Sequence, residues 1–146
     1  MGIEIRPLEP NDKDQWLALW SGYLAYYKTK ISDEVSEVTW QRILDKEFNI
    51  NGYCAVDKTG NLLGFVHFLY HPVTWSKASR CYLEDLFTST DARGKGVGRA
   101  LINAVYDAAD KHGADQVYWL TEDFNTTAHL LYDKVAKRTP FIKYAR

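Results

Sequence analysis

The sequence has little of what marks disulfide-rich, membrane-spanning or nucleic-acid-binding chains. Its two cysteines, Cys54 and Cys81, lie on separate predicted strands without a Cys-x-x-Cys pair. No secretory leader is recognised, so both are expected to be reduced core residues of a cytoplasmic protein. No apolar run reaches the roughly 18 residues that a membrane-spanning helix needs, so no membrane-spanning helix is expected. A net charge of −1 argues against nucleic acid as a partner, since such surfaces are usually basic.

Histidine is also scarce, and its placement does not suggest a metal site. The four histidines are His67, His71, His112 and His129. No two of them have a ligand spacing that is joined to nearby carboxylates. We therefore expect no bound metal.

Apolar side chains are plentiful and periodic, and they predict one mixed α/β (α+β) domain over residues 1–146. A 46% apolar content with 14% aromatics can fill a core at this length. The alternation predicts a largely antiparallel sheet of six or seven strands with helices between them. The strands are predicted over 2–6, 53–56, 62–70, 81–88, 117–121 and, as a last edge strand, 141–144. The helices are predicted over 12–27, 37–48, 95–112 and from Asn125 onward.

The most informative segment is 82–98, in which an apolar strand leads through a short turn into a glycine-rich loop and a helix. Gly94, Gly96 and Gly98 let an anion approach the unpaired N–H groups of a helix start. Glu84 and Asp85 lie on the strand that leads to this loop. Because a phosphate site and acid/base groups share one segment, an enzyme with a phosphate-bearing cosubstrate is predicted.

The loop fits neither the Walker motif nor the dinucleotide fingerprint, because Gly96 follows Lys95 and the glycines alternate. The spacing Arg93-x-x-Gly96-x-Gly98 instead resembles the signature of the GCN5-related N-acetyltransferases (GNAT). A second segment, Asn-Thr-Thr-Ala-His-Leu-Leu-Tyr ending at Tyr132, resembles that family's second motif. Other stretches are similar to its diamine (spermidine/spermine) and histone/polyamine acetyltransferase branches. One departure is Ala136-Lys137, where these relatives usually carry a Gly-aromatic pair.

The resemblance implies a fold in which two central strands splay apart and helices cover both faces of the sheet. It implies acetyl-CoA as the acyl donor, with its pantetheine arm in that wedge and its pyrophosphate on the loop. The implied contacts are at the strand end, the loop, the helix start and the second motif: Leu86, Phe87, Thr88, Arg93, Gly94, Lys95, Gly96, Val97, Gly98, Arg99 and Asn125.

The implied reaction is direct transfer of an acetyl group to a primary amine. Glu84 or Asp85 would take the proton of the amine, and the resemblance favours Glu84. Because neighbouring residues on a strand point to opposite faces, at most one of the two is expected to face the site. Asp85 has the alternative of a structural ion pair. Tyr132 is expected to protonate the leaving thiolate.

The expected acceptor is a small cationic amine, either a polyamine or a thialysine-like molecule. Glu84, Asp85, Tyr26 and Tyr27 are the candidates for binding it, the tyrosines by cation–π contact. Acidic residues near Asp33 in the loop between the first two helices could attract it. A protein or histone lysine is the second reading, and a non-catalytic acyl-CoA sensor is the third. An apolar edge strand over 141–144 would be a liability in a monomer, so a homodimer is expected.

Overall fold

Five strands form one mixed sheet in chain order, in the computed structural model, which describes residues 2–146. The strands are β1 (Glu4–Pro7), β2 (Asn51–Val56), β3 (Leu62–Pro72), β4 (Ser79–Thr88) and β5 (Val117–Tyr118). The first four pair antiparallel, and β5 pairs parallel to β4. The predicted mixed, largely antiparallel fold is thereby confirmed.

Four helices cover the two faces of the sheet. They are α1 (Lys13–Tyr26), α2 (Asp33–Leu44), α3 (Val97–His112) and α4 (Thr126–Val135). Trp16 and Trp20 of α1 join Trp40 of α2 in one buried cluster against Phe65 of β3. The other face packs its own cluster against the apolar side of α3, and α4 residues contact that cluster. Successive strand residues therefore alternate between two apolar environments, as two-sided burial requires.

The first strand is fastened to the start of α1 by an ion pair. The two terminal guanidinium nitrogens of Arg6, Nη1 and Nη2, donate to the Asp12 carboxylate at 2.8 and 3.0 Å. Asp12 also accepts the Glu9 backbone N–H at 2.8 Å, and it is only 4% exposed. The hydrogen bonds from Arg6 are the main reason that the pKa of Asp12 lies below its usual value. The pair thus joins β1 to the helix layer that carries the α1 aromatics.

The predicted count of six or seven strands is wrong, because the described residues form five. Residues 141–144 form no strand, since β5 has only two residues and offers too short an edge to extend the ladder. Phe141 is 85% exposed and Tyr144 is 90% exposed. The backbone leaves α4 at Ala136 in an extended conformation.

The second helix begins at Asp33, earlier than the predicted residue 37. The Ser32 side chain accepts the Val35 N–H at 3.2 Å and caps it. The acidic residues that were expected in a loop therefore lie on the helix. One of them, Glu37, forms an exposed ion pair with Lys13.

The strands β4 and β5 pair over only two positions, Cys81 with Val117 and Tyr82 with Tyr118. Beyond Tyr82, β4 continues to Thr88 and stays paired with β3, while β5 ends. The predicted wedge thus lies at the carboxyl ends of the two strands. An extended group can hydrogen-bond to such an open strand edge.

Within residues 2–146, no helix combines the length and the apolar character needed to cross a membrane.

Candidate active site

The glycine loop leads into α3 with the backbone geometry that an anion site requires. Gly94 and Gly96 have φ values of +78° and +84°, in the region that favours glycine. Gly96 precedes the first helical residue, Val97, and no side chain caps the helix. The N–H groups of the first turn therefore remain available at the positive end of the helix dipole. Gly98 lies in that turn, where an added Cβ would come within 3.3 Å of Leu131.

The side chain of Arg93 folds back over the end of β4. Its Nε donates to the carbonyl of Thr88 at 3.3 Å. Its guanidinium lies 5.7 Å from the centre of the Phe87 ring and 5.9 Å from that of Tyr26. Phe87 in turn packs against the α1 side of the sheet. The strand end, the loop cation and the end of α1 therefore meet at one place.

The residues predicted to contact the cofactor differ in whether their side chains are exposed. Val97 is 1% exposed and its side chain belongs to the core against the sheet. Only its backbone is therefore available to the anion site formed by the glycine loop and the start of α3, which we call the glycine cradle. Lys95 and Arg99 are exposed and carry positive charge near the glycines. Asn125 caps α4, where its side chain accepts the Ala128 N–H at 3.4 Å. Its assignment to the cofactor remains a prediction.

Glu84 and Asp85 both line one cavity, so the expected alternation of these two side chains does not hold. On β3, His67 and Phe68 are consecutive, yet their partners on β4 are Asp85 and Leu83. Glu84 is thus the extra residue of a β-bulge, which interrupts the alternation of side chains. The cavity has a volume of about 270 Å³ and lies between α1, α2 and the sheet, with Trp20 among its other walls.

The two carboxylates differ in their surroundings. Asp85 accepts the Tyr23 hydroxyl at 2.6 Å through one oxygen and lies 2.9 Å from Nδ1 of His67 through the other. Glu84 is exposed toward the cavity, but the apolar walls desolvate its carboxyl. This desolvation, followed by repulsion from Asp85, raises the pKa of Glu84. The charge of His67, when that ring is protonated, and the charge of Lys143 lower this pKa. A raised pKa makes a carboxylate a stronger base, as proton uptake from an ammonium group requires.

Tyr132 lies on the other side of the open strand edge. Its ring makes an edge-on contact with Trp119, at 5.3 Å between centroids. Burial raises its pKa to about 12, with smaller effects from Tyr27 and Tyr26. Neither Tyr26 nor Tyr27 lines the cavity of the two carboxylates. Tyr26 lies beneath the Arg93 guanidinium and its ring contacts Tyr27. The predicted role of these two tyrosines in acceptor binding stays a prediction.

The residues that sequence reasoning missed are those that hold Asp85. His67 is one of the four scarce histidines, and within residues 2–146 no cluster of three or more potential metal ligands occurs. Burial, followed by the charge of Asp85, raises the pKa of Tyr23 well above its ordinary value, so its phenol is a hydrogen-bond donor. The contact between His67 and Asp85 depends on the bulged register of β3 and β4, for which the sequence carries no local signal.

Comparison with known proteins identifies the family. The model of the acetyltransferase (GNAT) family matches residues 15–136. The chain belongs to the GNAT family. It is accordingly an N-acetyltransferase, and GNAT enzymes use acetyl-CoA as the acetyl donor. The chain is 40% identical over 145 residues to the D-amino-acid N-acetyltransferase HPA3 of Saccharomyces cerevisiae, covering 99% of this chain and 90% of the relative.

Solved structures share the GNAT fold. AAC(6')-Iy in complex with the bisubstrate analog CoA-S-monomethyl-acetylneamine matches with a TM-score of 0.86 and 19% identity, over 100% of this chain and 98% of the other. The ribosomal-protein-alanine N-acetyltransferase of Brucella melitensis matches with a TM-score of 0.82 and 21% identity, over 100% and 99%. The expected family is confirmed. The polyamine and histone branch receives no specific support, since the 40% identical relative is named for D-amino acids.

The residues present fit the acetyl donor of a GNAT enzyme. Two glycines with positive φ leave open space beside them, and the helix they precede has no side-chain cap. These features match the needs of a pyrophosphate. When bound, the thioester supplies an activated acyl group. The chain's own residues must then hold the acceptor amine, remove its proton and stabilise the charge of the departing sulfur.

Proposed function

We propose that this GNAT enzyme transfers an acetyl group directly to the primary amine of a small molecule, whose ammonium group is bound by Glu84 and Asp85. The observation that carries the proposal is the placement of both carboxylates in one cavity beside the wedge. A volume of about 270 Å³ is at the small end of ligand pockets. It fits a small amine or one end of a longer one.

Acetylation of an amine first requires that its ammonium group be bound and lose a proton, and the two carboxylates are the proposed groups for these steps. A lysine-like ammonium group has a pKa of about 10.4, so freeing its lone pair at pH 7 costs about 4 to 5 kcal/mol, and the more acidic α-ammonium group costs less. Glu84 is the proposed base, because it faces the cavity and its raised pKa favours taking up that proton. Asp85 is the proposed binding partner of the ammonium group.

The proposed first acceptor class is amino acids. Support comes from the relative named for D-amino acids and from Lys143, a cation near Glu84 that suits an acceptor with a carboxylate. The second class is the polyamines and thialysine-like amines of the sequence reading, which the two carboxylates also suit. A protein lysine is third, and the small cavity speaks against it.

A non-catalytic sensor would need the glycine cradle but neither Glu84 nor Tyr132. Both residues are present, and Glu84 lines the cavity beside the open edge of β4. We therefore propose Glu84 and Tyr132 as the catalytic pair, with the strand end and the loop as the site of acetyl-CoA.

The test is acetyl-CoA-dependent thiol release with D- and L-amino acids, spermidine, a thialysine and a basic peptide. The expected result is release with a small amine, lowered about 100- to 10,000-fold by Glu84→Gln while acetyl-CoA affinity is kept. Release with the peptide alone would contradict the small-molecule proposal. Tight acetyl-CoA binding without release from any acceptor would favour the sensor.

A homodimer through the C-terminal segment is also proposed. Three apolar side chains there, Phe141, Ile142 and Tyr144, are between 77% and 90% exposed, which is unusual for a monomer surface. Light scattering after size exclusion is expected to give twice 16.8 kDa. A mass of 16.8 kDa would refute the proposal. A cytoplasmic location stays a prediction, which the free buried thiols of Cys54 and Cys81 suit.

A further inference from the structure

Four side chains form a continuous hydrogen-bonded chain behind the cavity. The indole Nε1–H of Trp16 donates to Nε2 of His67 at 3.0 Å. Nδ1 of His67 lies 2.9 Å from one oxygen of Asp85, and the other oxygen accepts the Tyr23 hydroxyl at 2.6 Å. Trp16 is 0% exposed and His67 is 2% exposed. Nothing in the acetyl-transfer step itself requires such a buried chain.

The hydrogen bonds among these four side chains can run in only one direction. An indole N–H is a donor and never an acceptor, so Nε2 of His67 must be the unprotonated nitrogen. The proton of the imidazole is therefore on Nδ1, from which it donates to Asp85. A doubly protonated imidazole would set two N–H donors against each other in a buried place, which is costly. The network thus assigns His67 as a neutral ring.

This hydrogen-bonded network holds the Asp85 carboxylate from two sides. Each carboxylate oxygen holds one hydrogen bond from a buried or half-buried donor, so the group cannot rotate without breaking one of them. Glu84, the residue before Asp85 in the sequence, receives neither of these two hydrogen bonds. One carboxylate is fixed, and the other is free to exchange a proton.

We propose that Tyr23 and His67 are positioning residues that hold Asp85 as a fixed anion for the acceptor's ammonium group, and that Trp16 sets the tautomer of His67. This inference rests on the proposed function, because it needs an amine acceptor in the cavity. It separates binding, carried out by Asp85, from proton transfer, carried out by Glu84. Loss of a positioning bond then weakens acceptor binding without slowing the chemical step.

The kinetic test compares Tyr23→Phe with a matched control, Tyr53→Phe. Each substitution removes one hydroxyl and keeps the ring, but the Tyr53 ring packs against Phe68 on the opposite face of the sheet. For Tyr23→Phe, the acceptor KM is expected to rise about 10- to 100-fold, as for loss of a hydrogen bond to a charged group. Its kcat and its acetyl-CoA KM are expected to stay within about twofold of wild type. The control is expected to behave as wild type.

An unchanged acceptor KM in Tyr23→Phe would overturn the inference while leaving the proposed function intact. A fall in kcat at constant KM would also overturn it, because the residue would then act in the chemical step. Absence of turnover by the wild-type enzyme with every amine would remove both the proposed function and this inference.

A second readout does not depend on activity. Nitrogen-15 NMR of the histidine side chains distinguishes the two neutral tautomers and the doubly protonated ring. His67 is expected as the neutral Nδ1–H tautomer, because Nε2 accepts the Trp16 N–H. A proton on Nε2 of His67 would contradict the direction of the chain and refute its role in holding Asp85.

Discussion

The sharpest prediction concerns Tyr132, whose phenol has a pKa raised to about 12 by burial. A thiol of the kind that leaves in this reaction has a pKa of about 8.5. Full proton transfer from the phenol to the thiolate is therefore uphill by about 5 kcal/mol. Tyr132 is better suited to donate a hydrogen bond to the developing charge than to give up its proton completely.

The size of the effect follows from that difference. A hydrogen bond to a charged group contributes about 1.5 to 3 kcal/mol, so Tyr132→Phe is expected to lower kcat by about 10- to 150-fold. The assay is acetyl-CoA-dependent thiol release at saturating acceptor. Tyr53→Phe serves again as the control, since it removes a hydroxyl on β2 outside the site.

The pH dependence gives an independent check. The reaction needs the protonated phenol, which is lost only as the pH rises through about 12. The wild-type kcat is thus expected to show no falling limb from Tyr132 below about pH 11. Two results would refute the reasoning: an unchanged kcat in Tyr132→Phe, or a falling limb near pH 9 that disappears in this variant.

The remaining predictions concern the base, the cradle and the ion pair at β1. Because repulsion from Asp85 contributes to the raised pKa of Glu84, Asp85→Asn is expected to move the acid limb of kcat to lower pH; no movement would contradict this coupling. Gly96→Ala and Gly60→Ala, at φ +84° and +87° with open space around both, are each expected to lose about 1 to 3 kcal/mol of stability, but only the first to raise the acetyl-CoA KM. Asp12→Asn is expected to lower the free energy of unfolding at pH 7 by about 3 kcal/mol. Because the folded-state pKa of Asp12 is lowered, this difference in stability should be present above about pH 4 and fade as the pH falls further. Identical acid and urea unfolding curves for wild type and Asp12→Asn would exclude it.

Features set by short stretches of sequence could be predicted, and features set by pairing between distant stretches could not. The glycine loop and the Asn125 cap depend on residues within one turn of each other, and both lie where predicted. The cap at Ser32 is equally local, and its side chain before Asp33 and Glu34 was an available signal for an earlier helix start. The contacts of Asp85 join residues 18 and 62 positions apart, which no local pattern reveals.

The predicted last strand failed for a related reason. Residues 141–144 have an apolar, strand-forming composition, but a strand also needs a partner with enough free backbone groups. With β5 limited to Val117–Tyr118, this chain does not supply that partner. Composition alone predicts what a segment is able to form and not whether its partner exists.

The β-bulge at Glu84 explains why one strand can serve both the core and the chemistry. In a regular strand, Asp85 would follow Leu83 onto the face that α3 covers, where an unpaired carboxylate would be costly. The extra residue instead turns Asp85 toward Tyr23, and returns Leu86 to the α3 core and Phe87 to the α1 side. One irregular position thereby gathers two adjacent carboxylates in one cavity while the apolar residues around them stay buried. Because the bulge is a property of the β3–β4 register, the site depends on the sheet as much as on the two acids themselves.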